Sequence, residues 1–321
     1  MNRPENDQSS LTSSRRAFLR GASALGLAVA AFPAVSELSA VPALAATPTA
    51  QFLGSDQGVF KEIRSGETVK GVKYPGVPRL SGVRIYGLKP TGKNSETNHI
   101  AASWPQATPP PEPANPGPIV YSIYPVPADV MSGQGPVYEA VTHLISTAPA
   151  GSYLTCWHEA LSLKYPKYIT SNTMYQLHAR MNTLTKQLNP GLAYGVIFGG
   201  GDLTTLLRSA PPNLGYYGLD LYGNKGIDAG ISRLDSFITL ASKKDTVTPG
   251  YPRIMLPECN SPINSQRPDW FKEVAKRMKE YGSNSAGILT FWNGPGNIGA
   301  NWNPTDKATI AAMNYVVQHI F

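Results

Sequence analysis

The sequence predicts an α/β fold, a single (β/α)8 barrel of the TIM type, and three observations carry the prediction. Eight short runs rich in aromatic and β-branched residues recur along the chain. From the third run onward they alternate with amphipathic stretches. The first run is followed by GSDQG, not by the GxGxxG or GKS/T turn with which an open, doubly wound sheet usually binds phosphates.

The runs span 51–56, 82–87, 119–125, 152–159, 192–200, 216–223, 253–260 and 287–294. Between the third and fourth, Val137, Ala140, Val141, Leu144 and Ile145 fall at i, i+3, i+4, i+7 and i+8, which is one face of a helix. The same spacing recurs at Met174, Leu177, Met181, Leu184 and Leu188, then at Ile231, Leu234, Ile238 and Ala241. Phe271, Val274, Ala275 and Met278 repeat it, and Ile310, Met313, Val317 and Ile320 close the chain. No helix is evident between the first two runs. Between the second and third, Thr108 to Pro118 reads TPPPEPANPGP, an extended surface loop.

Composition sets the limits of function. With 321 residues, 41% of them hydrophobic and 15% charged, the chain can bury a large core. Its 30 Gly and 29 Pro place much of the rest in turns. The net charge of +7 is scattered, without the basic runs that track phosphates, so nucleic acid is not an expected partner. Two cysteines, Cys156 and Cys259, are too few for a disulfide scaffold. Each lies an odd number of residues from a strand-end glutamate, so alternation turns both away from the barrel centre, and because the fourth and seventh strands are three apart around the wall the two cannot bridge.

The first residues read as an address. Ser14 to Gly21 is SRRAFLRG, an apolar run follows over 22–35, and Ala43-Leu44-Ala45 supplies a small-residue cleavage site. Arg15 and Arg16 ahead of Phe18 and Leu19 resemble the twin-arginine export signal. That resemblance implies a signal peptide over 1–46 and recognition of the precursor by the twin-arginine export machinery. It also implies a secreted or extracytoplasmic barrel over 47–321. The apolar run is broken by Pro33 and falls short of the roughly 20 residues of a spanning helix, and no later run is longer, so no membrane span is expected in the mature chain.

Chemistry in a barrel of this kind belongs at the C-terminal ends of the strands. Glu159 ends the fourth run and Glu258 lies near the end of the seventh. Two carboxyls facing each other across a sugar can serve as general acid/base and as nucleophile. The tryptophans Trp157, Trp292 and Trp302 lie at or after strand ends, where indole faces can stack on sugar C–H groups. Trp104 and Trp270 read as packing residues. Arg84 is either the cation that orients Glu258 or a structural ion-pair member. His158 can bind a sugar hydroxyl or satisfy a neighbouring backbone group. Tyr222 can hydrogen-bond the nucleophile or fill the barrel. Asp220, on the same alternation as Tyr222, is a spare carboxylate suited to scaffolding. Pro257 cannot donate to a ladder, so strand pairing is expected to end there. HExxH and GxSxG are absent and the five histidines have no metal-ligand spacing, so neither a metal nor a cofactor is expected.

The fourth-run and seventh-run glutamates resemble the acid/base and nucleophile of the clan A retaining glycoside hydrolases. The resemblance extends to Arg84 on the second run, Tyr222 on the sixth and Trp292 on the eighth. The dipeptide His158-Glu159 is similar to the family 26 mannanase-like pattern. Thr155, Cys156 and Ala160 depart from that pattern, so mannan specificity is not implied. The expectation is an exported glycoside hydrolase cleaving O-glycosidic bonds of a polysaccharide or oligosaccharide by retaining double displacement. The alternative is a barrel without turnover that binds cell-envelope or environmental glycan.

Overall fold

The computed structural model describes residues 52–56, 68–69, 72–73, 80–88, 118–159, 169–244, 253–282, 285–290 and 306–320. The signal segment 1–46, the loop 108–117, Trp104, Trp292 and Trp302 lie outside the described residues. Eight parallel strands pair in chain order: β1 (Phe52–Asp56), β2 (Gly82–Gly87), β3 (Ile119–Ile123), β4 (Tyr153–Cys156), β5 (Ala193–Phe198), β6 (Tyr216–Leu219), β7 (Arg253–Asn260) and β8 (Ser285–Thr290). Strand β8 pairs with β7 on one side and with β1 on the other, so the sheet curls round on itself. The expected parallel α/β architecture is therefore present. In the link from β1 to β2, a small antiparallel hairpin joins Thr68–Val69 to Val72–Lys73.

A helix appears at each of the five apolar spacings, and two short ones, over 127–132 and 203–208, appear where no spacing marks them. After β3 come α1 (Pro127–Ser132) and α2 (Pro136–Thr147), and after β4 comes α3 (Ser171–Leu188). Then α4 (Leu203–Arg208), α5 (Ile227–Ser242), α6 (Arg267–Glu280) and α7 (Lys307–His319) follow β5, β6, β7 and β8 in turn. Their starts are chemically marked: proline opens α1 and α2, while Thr170, Asp202 and Asp306 cap α3, α4 and α7 by accepting from backbone N–H groups. Among the described residues, no helix is long and apolar enough to cross a membrane.

Alternation along the strands sorts the core into two compartments. Tyr121, Leu154, Val196, Leu219 and Leu256 point outward and pack with the apolar helix faces. Val120, Tyr153, Ile197, Tyr216 and Met255 point inward and fill the ring. Tyr153 and Tyr216 meet edge to face inside it, with ring centroids 5.3 Å apart. This filling needs glycine on β5, because a Cβ at Gly195 would lie 2.4 Å from the Tyr216 ring. The interior is thus a packed floor beneath the strand ends.

Both cysteines are free, buried and in the outer compartment, as the odd offsets predict. The expected end of pairing at Pro257 is corrected. Pairing of β7 with β6 stops at Met255 and resumes at Cys259 and Asn260 with the short strand Leu221–Tyr222, and the register with β8 shifts between Leu256 and Cys259. The missing proline N–H interrupts the ladder, for three residues on the β6 side and two on the β8 side, without ending the strand.

Candidate active site

Polar residues take over from the apolar floor toward the C-terminal ends of the strands. Arg84 on β2, Ser122 on β3, Thr155 on β4 and Asp220 after β6 are all buried. Beyond them Tyr86, Tyr124, His158, Glu159, Tyr222 and Glu258 are half-buried around the mouth. On β2, β3 and β6 this follows directly from the two-residue period: Arg84 and Tyr86, Ser122 and Tyr124, Asp220 and Tyr222 share a face.

Glu258 is the hub. Arg84 Nη1 donates to its Oε1 at 3.0 Å and Tyr86 donates to the same oxygen at 2.9 Å. Tyr222 donates to Oε2. Arg84 is held in turn by Ser122 Oγ, 2.9 Å from its Nε, and by the Pro257 carbonyl, 3.0 Å from Nη1. Burial works against the Arg84 cation, but the negative charge of the neighbouring Glu258 and Asp220 carboxylates outweighs it and its pKa is raised. Burial also pushes the Tyr86 and Tyr222 hydroxyls up, reinforced for both by Glu258, so they stay protonated and keep donating.

Glu159 reaches the same mouth by a different route. Strand β4 ends at Cys156, and both Trp157 and Glu159 adopt left-handed backbone, with φ of 50° and 57°. The turn is fixed by Trp157 N–H donating to Ile123 O at 2.8 Å and Glu159 N–H donating to Ile197 O at 2.9 Å. Burial raises the Glu159 pKa, and the charge of Glu258 adds to the rise while Arg84 opposes it. His158 hydrogen-bonds the Tyr124 hydroxyl through Nδ1, and its Nε2 lies 3.9 Å from Glu258 Oε1.

One expectation is overturned here. Trp157 is 5% exposed, packs in the outer compartment and donates its indole N–H to Pro125 O at 2.6 Å. It is a core residue and not a sugar platform, because the left-handed turn at its own backbone breaks the alternation that would have aimed it at the mouth. Trp270 is fully buried, as expected of a packing residue. The structure brings Arg84, His158, Glu159, Tyr222 and Glu258 together, and Trp292 lies outside the described residues. Sequence reading missed Tyr86 and Tyr124, although their parity with Arg84 and Ser122 would have found them.

His158, Glu159 and Asp220 bring potential cation ligands within 4.8 Å of one another, the one such group among the described residues. The Arg84 guanidinium, 4.0 Å from Asp220, sets a fixed positive charge against an ion there. The arrangement instead pairs two carboxyls of unlike environment at one opening: one tethered to a cation and two phenols, the other held toward its neutral form.

No known protein family matches the chain, and no curated protein does. Among solved structures it is similar to a GH128 (subgroup I) endo-β-1,3-glucanase from Amycolatopsis mediterranei, with a TM-score of 0.47 and 14% identity over 82% of this chain and 98% of that one. An endo-β-1,4-glucanase from Xanthomonas axonopodis pv. citri gives 0.48 and 13% identity over 83% and 99%. A glucosidase from Croceicoccus marinus gives 0.45 and 14% over 85% and 67%. Resemblances this distant assign neither family nor activity.

Proposed function

We propose that the chain is an exported glycoside hydrolase that cleaves O-glycosidic bonds of a polysaccharide or oligosaccharide by retaining double displacement. Glu258 is the nucleophile and Glu159 the acid/base. The observation that carries this reading is the environment of Glu258, whose carboxylate at the strand ends accepts from Arg84, Tyr86 and Tyr222. Three donors complement a negative charge and fix the plane of the carboxylate, leaving its remaining lone pairs for the anomeric carbon.

In the first step a Glu258 oxygen attacks that carbon while Glu159 gives its proton to the departing glycosidic oxygen. As the carboxylate becomes an ester, its charge passes into the leaving group and is neutralised by that proton. The phenols of Tyr86 and Tyr222 are then free to turn toward sugar oxygens. In the second step Glu159, now a carboxylate, takes a proton from water, and the resulting attack releases Glu258. His158 beside Glu258 is placed for a hydroxyl next to the scissile bond. Arg15 and Arg16 support an export route that delivers the enzyme outside the cytoplasm already folded.

The test is a pair of variants assayed on dinitrophenyl glycosides and on a panel of β-mannan, xylan, β-1,3-glucan and α-linked polymers. Glu258→Ala abolishes hydrolysis of every substrate. Glu159→Ala barely cuts polymers but still releases dinitrophenol, and azide accelerates it and yields a glycosyl azide of retained configuration. Equal loss in both variants on activated substrates, with no azide effect, refutes the assigned roles. A wild-type protein that binds one of these glycans without cutting any is the barrel without turnover.

A further inference from the structure

Asp220 is the buried group that the mechanism leaves without a task. It follows β6 and is 4% exposed. Its backbone N–H donates to Phe198 O at 2.8 Å, so its main chain is secured. Its side chain is not: neither carboxyl oxygen receives a hydrogen bond from an N–H or hydroxyl group of the described residues. The nearest cation, Arg84, stands 4.0 Å from Oδ1, beyond hydrogen-bond reach and already engaged with Glu258, Pro257 and Ser122.

A carboxylate left bare in the interior costs several kcal/mol, which few proteins carry without compensation. The compensation is close at hand. The Glu159 carboxyl lies within 4.8 Å of the Asp220 carboxyl, and the two become hydrogen-bond partners once either holds a proton. A second ionised carboxylate that near would add repulsion to the desolvation of both.

We infer that Asp220 is a positioning residue for Glu159, the two carboxyls holding one proton between them at the mouth, which Glu159 delivers to the leaving oxygen. The inference rests on Glu159 being the acid/base. As the glycosidic C–O bond breaks, the proton passes to the departing oxygen and the pair is left with both carboxylates ionised. Their repulsion drives the next transfer, in which the attacking water returns a proton to the pair.

The groups facing Asp220 are accounted for on every neighbouring element. Arg84 and Tyr86 approach from β2, Tyr124 from beyond β3, and from beyond β4 both Glu159 and His158, whose ring is hydrogen-bonded to Tyr124. Glu258 approaches from β7 and Tyr222 from the continuation of β6. Arg84 is the one permanent cation among them; it is hydrogen-bonded to Glu258 through Nη1, while its buried Nη2 has no partner among the described residues and its Nη1 stays 4.0 Å from Asp220. Burial, with the Glu258 charge adding to it, moves both the Asp220 and the Glu159 pKa upward, and the hydrogen bond between the two raises Asp220 further while opposing the rise at Glu159, as a proton held between them does.

Infrared titration of the full protein tests this without a substrate. Wild type shows a protonated carboxyl stretch at neutral pH that Asp220→Asn removes and Glu159→Gln removes as well. A band that survives both variants, or one absent from wild type, overturns the inference. On any polymer the wild type cuts, Asp220→Asn moves the basic limb of kcat/KM down by about one pH unit or more. Its loss of rate on that polymer exceeds its loss on a dinitrophenyl glycoside about tenfold, because only the polymer needs the proton. An unmoved limb with equal losses overturns the proton-holding role while leaving the glycosidase reading intact. A wild type that cuts nothing refutes that reading, and the infrared band still decides the shared proton.

Discussion

Strand β4 separates two clusters of ionisable side chains. Behind it, Cys156 Sγ lies 2.7 Å from the Tyr194 hydroxyl, which lies 2.6 Å from His178 Nδ1. In front of it lie Arg84, Glu159, Asp220 and Glu258. The rear cluster has a thiol and an imidazole, the ingredients of a nucleophile and its base. All three of its members are sealed from solvent, and burial pushes the thiol up to about 12 and the imidazole down to about 3, so both are neutral. The front cluster keeps its charge because an arginine is built into it and because it opens at the strand ends. The face of the strand on which a residue falls, and the solvent that face meets, decide between an inert core network and a reactive site.

The largest expected effect comes from removing the cation. Arg84→Met leaves the Glu258 carboxylate without its cation, and the protein loses about 3 to 5 kcal/mol of stability in urea unfolding. Turnover falls by about 100-fold or more as well. Unchanged stability would mean that the ion pair in front of β4 contributes no more than a surface pair does.

A smaller effect sharpens the contrast from the other side. The folded His178 titrates at about 3, below its ordinary value of 6.5, so as pH falls the unfolded chain takes up a proton that the native protein refuses. Its contribution is complete above pH 6.5 and is lost as pH falls toward 3. His178→Gln flattens the slope of unfolding free energy in that interval by up to about 1.4 kcal/mol per pH unit. An unaltered slope would place the imidazole in contact with water.

The smallest effect is on turnover by Cys156→Ala. Tyr194 and His178 keep each other as partners, stability falls by about 1 to 3 kcal/mol, and kcat/KM stays within about threefold. A loss of activity comparable with that of Glu159→Ala would bring the thiol into the chemistry and erase the distinction between the two faces.

The period of two made most of this legible in the sequence. It placed the cysteines outside the ring and Asp220 on the face of Tyr222, because β6 and its continuation keep their alternation to the end, whereas the meeting of Tyr222 with Glu258 was suggested by the clan resemblance. It failed at Trp157, where the backbone turns left-handed, since parity has no meaning beyond the last extended residue. At Pro257 the lost donor was evident from the residue type, but the recovery of pairing at Cys259 depends on the neighbouring strand Leu221–Tyr222, which no local pattern announces. The link between Asp220 and Glu159 joins residues 61 positions apart in sequence through the curl of the sheet, and only the fold brings them face to face.

The left-handed backbone at Glu159 also bears on how this protein would respond to selection for heat resistance. A residue with a Cβ pays about 1 to 2 kcal/mol for that conformation, and glycine pays almost none of it. A thermal-shift screen blind to activity would therefore enrich glycine at 159, along with neutral residues that relieve the crowding of carboxyls around it. The sturdiest descendants of this chain would then be the ones that had discarded the carboxyl proposed as its proton donor.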